Sequence, residues 1–127
     1  MAYVALVTAL ALIEYMVFTG FVGWARGRFG VDAPAISGHP EFERYFRVQQ
    51  NTLEQLIVFL PALWIFAQFV SAPIATALGA AFIVGRLLYF RSYVRDPKSR
   101  TIGFVIGYLS VVILVLGAAG GAVRAAL

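Results

Sequence analysis

Arg44, Arg47, Asn51 and Glu54 follow one another at spacings of three, four and three, which aligns them along one face of a helix. Gln49, Gln50 and Gln55 flank that stripe, and farther on Arg86, Tyr89 and Tyr93 repeat the spacing of three and four. Arg47, Arg86, Arg91, Arg95 and Arg100 outnumber the nearby acids Glu54 and Asp96. Arginines in excess of carboxylates, accompanied by amides and tyrosine hydroxyls, suit an anionic ligand held by charge-assisted hydrogen bonds. A free acid among them suits an amino group, so a small zwitterion with extra carboxylates would complete the set. Interhelical ion pairs such as Glu54 with Arg86 are the structural alternative, and Tyr89 and Tyr93 also suit interfacial anchors. Thiol and metal chemistry lack their ligands: there is no cysteine and a single histidine, His39, expected to be solvated in a loop.

These polar residues stand in a chain that is otherwise apolar. Of 127 residues, 61% are hydrophobic and 13% charged, against roughly 45–50% and about 25% in an ordinary soluble domain. So little polar surface excludes disorder and a disulfide scaffold, and leaves an all-α integral membrane protein. The formal net charge of +4 is too small to argue for nucleic acid. The basic residues fall into two groups, Arg26, Arg28, Arg44 and Arg47, then Arg86, Arg91, Arg95, Lys98 and Arg100, with Arg124 alone.

Between the groups, residues 2–25 carry one charge, Glu14, residues 52–85 carry only Glu54, and residues 101–123 carry none. A membrane helix needs about 20 apolar residues, so the whole of 1–127 reads as one bundle of four transmembrane helices, near 3–25, 41–70, 73–93 and 100–124. Ser71-Ala72-Pro73 breaks the long middle stretch, because proline disfavours helix in the residue before it. Pro61 is expected to kink the second span. The first span lacks an early basic residue and is too long for a cleaved signal, so it reads as a mature helix. Four crossings put both basic groups on one side, which the positive-inside rule assigns to the cytoplasm. The short loops favour a bacterial inner membrane over the endoplasmic reticulum.

The run Pro40-Glu41-Phe42-Glu43-Arg44-Tyr45-Phe46-Arg47-Val48-Gln49-Gln50-Asn51-Thr52-Leu53-Glu54 closely resembles the second-helix signature of the MAPEG family, the membrane-associated proteins of eicosanoid and glutathione metabolism. Its core is Glu-Arg-x-x-Arg-x-x-x-Asn-x-x-Glu. Arg86-Leu87-Leu88-Tyr89-Phe90-Arg91-Ser92-Tyr93, followed by Arg95 and Arg100, resembles the family's third helix and loop, and Ala25-Arg26-Gly27-Arg28-Phe29 the end of its first helix. The resemblance spans nearly the whole chain.

It implies a homotrimer of four-helix subunits with glutathione, as co-substrate, bound between neighbours at the cytosolic membrane boundary. Arg47, Asn51 and Glu54 would hold the peptide, with Glu54 on its amino group; Gln49, Tyr89, Tyr93, Arg26, Arg86 and Arg95 would complete the pocket. Arg100 matches the family's thiol-activating arginine, although by position alone it is also a positive-inside anchor. The implied activity is a glutathione transferase that conjugates the thiolate to hydrophobic electrophiles, with reduction of lipid hydroperoxides as a further activity. Gln55 departs from the tyrosine of some relatives, which puts a ligand contact there in doubt.

Two other functions share this architecture. Glu14, the lone charge of the first span, invites comparison with small four-helix multidrug transporters, which carry an essential acid in the first helix. A proton-coupled cation pathway wants an electronegative interior, whereas this chain gathers arginines, and pairing of Glu14 with Arg86 or another polar group is the simpler expectation. A non-catalytic, lipid-binding family member is the third reading. Gly79, Gly85, Gly103, Gly107, Gly117, Gly120 and Gly121 are expected to let helices approach closely, Gly103 and Gly107 forming a GxxxG pair.

Overall fold

The computed structural model describes all 127 residues, Met1–Leu127. Four helices make up nearly the entire chain: α1 (Ala2–Phe29), α2 (Pro40–Phe69), α3 (Ala72–Arg95) and α4 (Thr101–Ala126), with one 3-10 turn at Pro97–Ser99. Each of the four is long and apolar enough to cross a membrane, and the protein is a multi-pass integral membrane protein.

Local chemistry sets the ends of these helices. The first runs to Phe29, beyond the expected end near residue 25, because Arg26 and Arg28 suit a helix C-terminus and only Gly30 breaks the helix. Gly30 adopts the left-handed conformation at φ 69°, which glycine reaches without steric cost. His39 is not merely solvated. Its Nδ1 accepts the Glu41 N–H at 3.1 Å and caps α2, while its ring stacks on Phe29 at 4.6 Å. Pro40 in the first turn and the acids Glu41 and Glu43 suit that helix start. The Ser71 hydroxyl caps α3 by accepting the Ile74 N–H at 3.3 Å, so the break expected at 71–73 is a capped, tight hairpin. Helix α2 continues through Pro61.

The core lies along the axis of the bundle. Val4, Val7 and Ala11 of α1, Phe59, Leu63 and Phe66 of α2, Phe82 of α3 and Leu114 of α4 are buried together, and the Phe59 and Phe82 rings stack at 3.9 Å. Many large apolar side chains point outward, among them Ile13, Met16, Ile57, Val84 and Leu116. Such a surface suits hydrocarbon rather than water.

Glycine sets how closely α3 and α4 pack. A Cβ built on Gly85 would lie 2.6 Å from the Gly107 backbone nitrogen and 3.0 Å from the Gly103 carbonyl oxygen. A Cβ on Gly103 would collide with the Tyr89 backbone. Here the backbones touch, and Tyr89 is fixed against the start of α4.

Candidate functional site

The stripe on α2 faces the beginning of α4. Arg47 and Asn51 line a cavity of about 470 Å³ together with Tyr89 and Tyr93 of α3 and Arg100, Thr101 and Phe104 at the start of α4. Five of the ten residues singled out by sequence, Arg47, Asn51, Tyr89, Tyr93 and Arg100, therefore share one cavity. Three features give it its chemistry. Arg47 and Arg100 bring two guanidinium groups. Asn51 Oδ1 is buried and has no hydrogen-bond partner, an arrangement that costs free energy unless a donor arrives. The N-terminus of α4 opens here: the Phe104 N–H bonds back to the Arg100 carbonyl, whereas the amides before it belong to the turn that helices leave unsatisfied. That end carries partial positive charge and favours an anion.

Neighbouring contacts hold these groups in place. Arg44 belongs to the same stripe, but its Nη1 donates to the Val94 and Arg95 carbonyls, both at 3.2 Å. It thus satisfies the C-terminal carbonyls of α3 and ties that helix to α2. The Tyr89 and Tyr93 rings stack at 5.4 Å. The Arg100 Nη1 donates to the Pro97 carbonyl at 3.1 Å, and the Ser99 hydroxyl donates to the Asp96 carbonyl at 2.7 Å, folding the turn beneath the cavity.

Five candidates lie elsewhere. Arg86 is 1% exposed and does not reach the cavity; its Nε and Nη2 donate to the Thr52 hydroxyl at 3.2 and 2.8 Å, and its guanidinium lies 4.2 Å from the Tyr89 ring centre. The suggested Glu54–Arg86 pair is not made. Thr52 and Glu54 sit about 200° apart around α2, so a residue that reaches one cannot meet the other. Glu54 is instead exposed beside Gln55 in a groove of about 370 Å³ with Val58, Tyr108, Val111 and Val115. Gln49 Nε2 donates to the Thr19 hydroxyl at 3.2 Å, on the α1 side of α2. Arg26 Nη1 donates to the Ala35 carbonyl at 2.6 Å and to the Val31 carbonyl at 3.3 Å, pinning the first loop. Arg95 lies on another face of α3 with Arg91.

A second groove opens between α2 and α4 farther along the bundle. Phe104 stacks on Tyr108 at 5.5 Å, which carries the wall from the arginine end into the Glu54 groove. That groove shares Val58 and Val115 with an apolar one of about 340 Å³ that reaches Ala122. Sequence reasoning missed Thr101, Phe104 and Tyr108. Their signal was the spacing of three and four from Thr101 onward along α4. It missed Thr52 as well, which stands next to the more conspicuous Asn51.

Glu14 is half-buried on α1 and its Oε1 has no hydrogen-bond partner; Arg86 donates to Thr52, so the expected pairing of Glu14 with Arg86 is not made. Glu14 does not line the cavity of Arg47 and Arg100. Glu14→Gln is expected to change thermal stability or assembly more than ligand chemistry at that cavity, as melting and binding curves of one preparation would show. Loss of proton-coupled cation efflux in that variant would favour a transporter instead.

Comparison with known proteins agrees with this arrangement. The sequence profile of the MAPEG family matches residues 4–120. An uncharacterized protein of Synechocystis sp. is 50% identical over 114 residues, covering 90% of this chain and 83% of the relative. Microsomal glutathione S-transferase 2 of Homo sapiens is 41% identical over 118 residues, covering 91% of this chain and 80% of that enzyme. Leukotriene C4 synthase of Rattus norvegicus is 38% identical over 99 residues, covering 78% and 66%. Four membrane-length helices, the α2 stripe facing α4 and a match over almost the whole length lead to one conclusion: the chain belongs to the MAPEG family.

Proposed function

We propose that this protein is a membrane-bound glutathione transferase, with reduction of lipid hydroperoxides as a second activity. The observation that carries the reading is the cavity that gathers Arg47, Asn51, Tyr89, Tyr93 and Arg100 around an unpartnered buried amide oxygen. The relatives named as glutathione S-transferase and leukotriene C4 synthase make glutathione the natural occupant. Arg47 suits a peptide carboxylate and Asn51 Oδ1 a peptide N–H. Glu54, one turn deeper along α2, suits the amino group. Arg100 and the start of α4 would face the thiol and favour its thiolate. The thiolate sulfur then forms a C–S bond to the electrophilic carbon, whose leaving group or ring oxygen departs with the electron pair. The apolar crevice beyond Glu54 would hold the hydrophobic electrophile.

Gln49 and Arg26 lie on the side of α2 away from the cavity, because Gln49 stands about 200° from both Arg47 and Asn51. For all of these residues to touch one glutathione, the second set must come from a neighbouring copy. This supports sites shared between copies, as in the homotrimer that the family resemblance implies; the positive-inside rule supports basic loops facing the cytoplasm. The non-catalytic, lipid-binding alternative would keep the crevice and lack turnover.

A glutathione titration of the purified protein, followed by near-ultraviolet thiolate absorbance and by turnover with a panel of electrophiles and hydroperoxides, tests the reading. Asn51→Ala removes one acceptor from a charged ligand's network and is expected to weaken glutathione binding about 10- to 100-fold. Absence of glutathione binding by the unmodified protein would overturn the proposal. Binding without turnover on any panel member would leave only the non-catalytic alternative.

A further inference from the structure

Two arginines of α3 stand apart from everything described so far. Arg26, Arg44, Arg86 and Arg100 each donate to an oxygen of the protein; of the arginines that do not, Arg91 and Arg95 line one groove together. Both are exposed and, with Leu88, Ser92 and Ser99, line a groove of about 290 Å³. At about 100° per residue this groove lies roughly 120° around α3 from Tyr89 and Tyr93, so it faces away from the proposed glutathione cavity.

Its depth is informative. Arg91 follows Ala72, the first residue of α3, by nineteen helical steps, roughly 29 Å at about 1.5 Å each. The hydrocarbon core is about 30 Å thick, so Arg91 reaches the headgroup level and Arg95 rises a turn above it. Arg86, inside the hydrocarbon, is buried in the bundle; Arg91 and Arg95, at the boundary, are open. Below them on the same face Leu88 and Val84 are exposed, continuing the groove downward as an apolar strip. A basic, hydroxyl-bearing mouth above an apolar strip matches an amphiphile with an anionic head.

We propose that the Arg91–Arg95 groove binds the phosphate of an anionic glycerophospholipid, the two guanidinium groups holding the phosphate oxygens and an acyl chain lying along Leu88 and Val84. Guanidinium geometry fits phosphate bidentately, and basic pockets at this level of a membrane protein are a known mode of lipid recognition. A soluble phosphate would engage the arginines but gain nothing from the apolar strip. The proposal places Arg95 on a lipid rather than on glutathione.

The test uses the full chain in mixed micelles of phosphatidylcholine and phosphatidylglycerol, with the retained lipid identified by mass spectrometry after gel filtration. The unmodified protein is expected to retain phosphatidylglycerol preferentially. The double variant Arg91→Gln/Arg95→Gln is expected to lose about 100-fold of that preference, because two charge-assisted hydrogen bonds to phosphate are removed. Arg28→Gln/Lys98→Gln removes equal charge from the same end of the bundle without touching the groove and is expected to keep most of the preference. An equal loss in both double variants would mean a general surface potential and overturn the site. Displacement of the lipid by inorganic phosphate alone would make it a soluble-anion site, and displacement by glutathione would return Arg95 to the glutathione pocket; either result overturns the assignment.

Discussion

Arg100→Ala is expected to leave glutathione bound but largely protonated at neutral pH. A free thiol ionises near pH 8.5. If the site lowers that value by about two units, roughly 2.7 kcal/mol of preference for the anion, about three quarters of the bound thiol is thiolate at pH 7. Loss of the whole shift would return the fraction to about 3%, which sets an upper limit of roughly 25-fold on the effect. The direction with pH follows. The bound pKa is depressed, so the largest difference approaches about 100-fold below pH 6, narrows as pH rises past the lowered pKa, and closes above pH 9. The amides opening α4 remain in the variant and retain a smaller part of the shift, since a helix terminus contributes about 0.3–1 kcal/mol. Arg100→Lys is expected to fall between, keeping the charge without the planar fork. Near-ultraviolet absorbance of the bound thiol across pH 5.5–9.5 reads all three. An Arg100→Ala titration that overlays the unmodified protein would remove Arg100 from thiol activation. Turnover will fall by less than thiolate occupancy, because a more basic thiolate is also the stronger nucleophile.

Gly103→Ala carries the second large effect, and it acts through packing alone. The added methyl would meet the Tyr89 backbone and lie 2.9 Å from the Gly85 carbonyl oxygen. These are backbone atoms on both sides, so no rotamer change relieves the clash and α3 must move away from α4. Overpacking of this kind costs about 3 kcal/mol. Because Tyr89 lines the cavity and α4 begins with Arg100 and Thr101, the same displacement would pull apart the two walls of the site. Both a lower melting temperature in detergent and a loss of glutathione affinity are expected. Gly120→Ala, on the same helix, meets nothing within 4 Å. It is expected to be neutral or to stabilise by roughly 0.5–1 kcal/mol through higher helix propensity. Equal melting curves for the two variants would show that α3 and α4 do not cross at Gly103.

The four helices were legible because their causes are local. Apolar runs of membrane length, the Ser71–Pro73 break and the acids that open α2 act within a few residues of themselves, and no distant partner is needed to read them. The three-four-three stripe likewise grouped Arg47 and Asn51 on one face before any fold was considered. GxxxG was a weak signal by itself; its meaning came from Gly85 on the other helix.

Sequence alone determined which polar residues share a face and at what depth they enter the membrane, because helical pitch and hydrocarbon thickness are fixed. The tertiary structure decided where each arginine turns. Arg86 goes inward to Thr52, Arg44 to the end of α3, Arg100 to the cavity's turn, and Arg91 and Arg95 outward. An arginine can reach several partners from one Cα. Its choice depends on which acceptors neighbouring helices bring within a hydrogen bond, and that follows from helix crossings set by distant glycines.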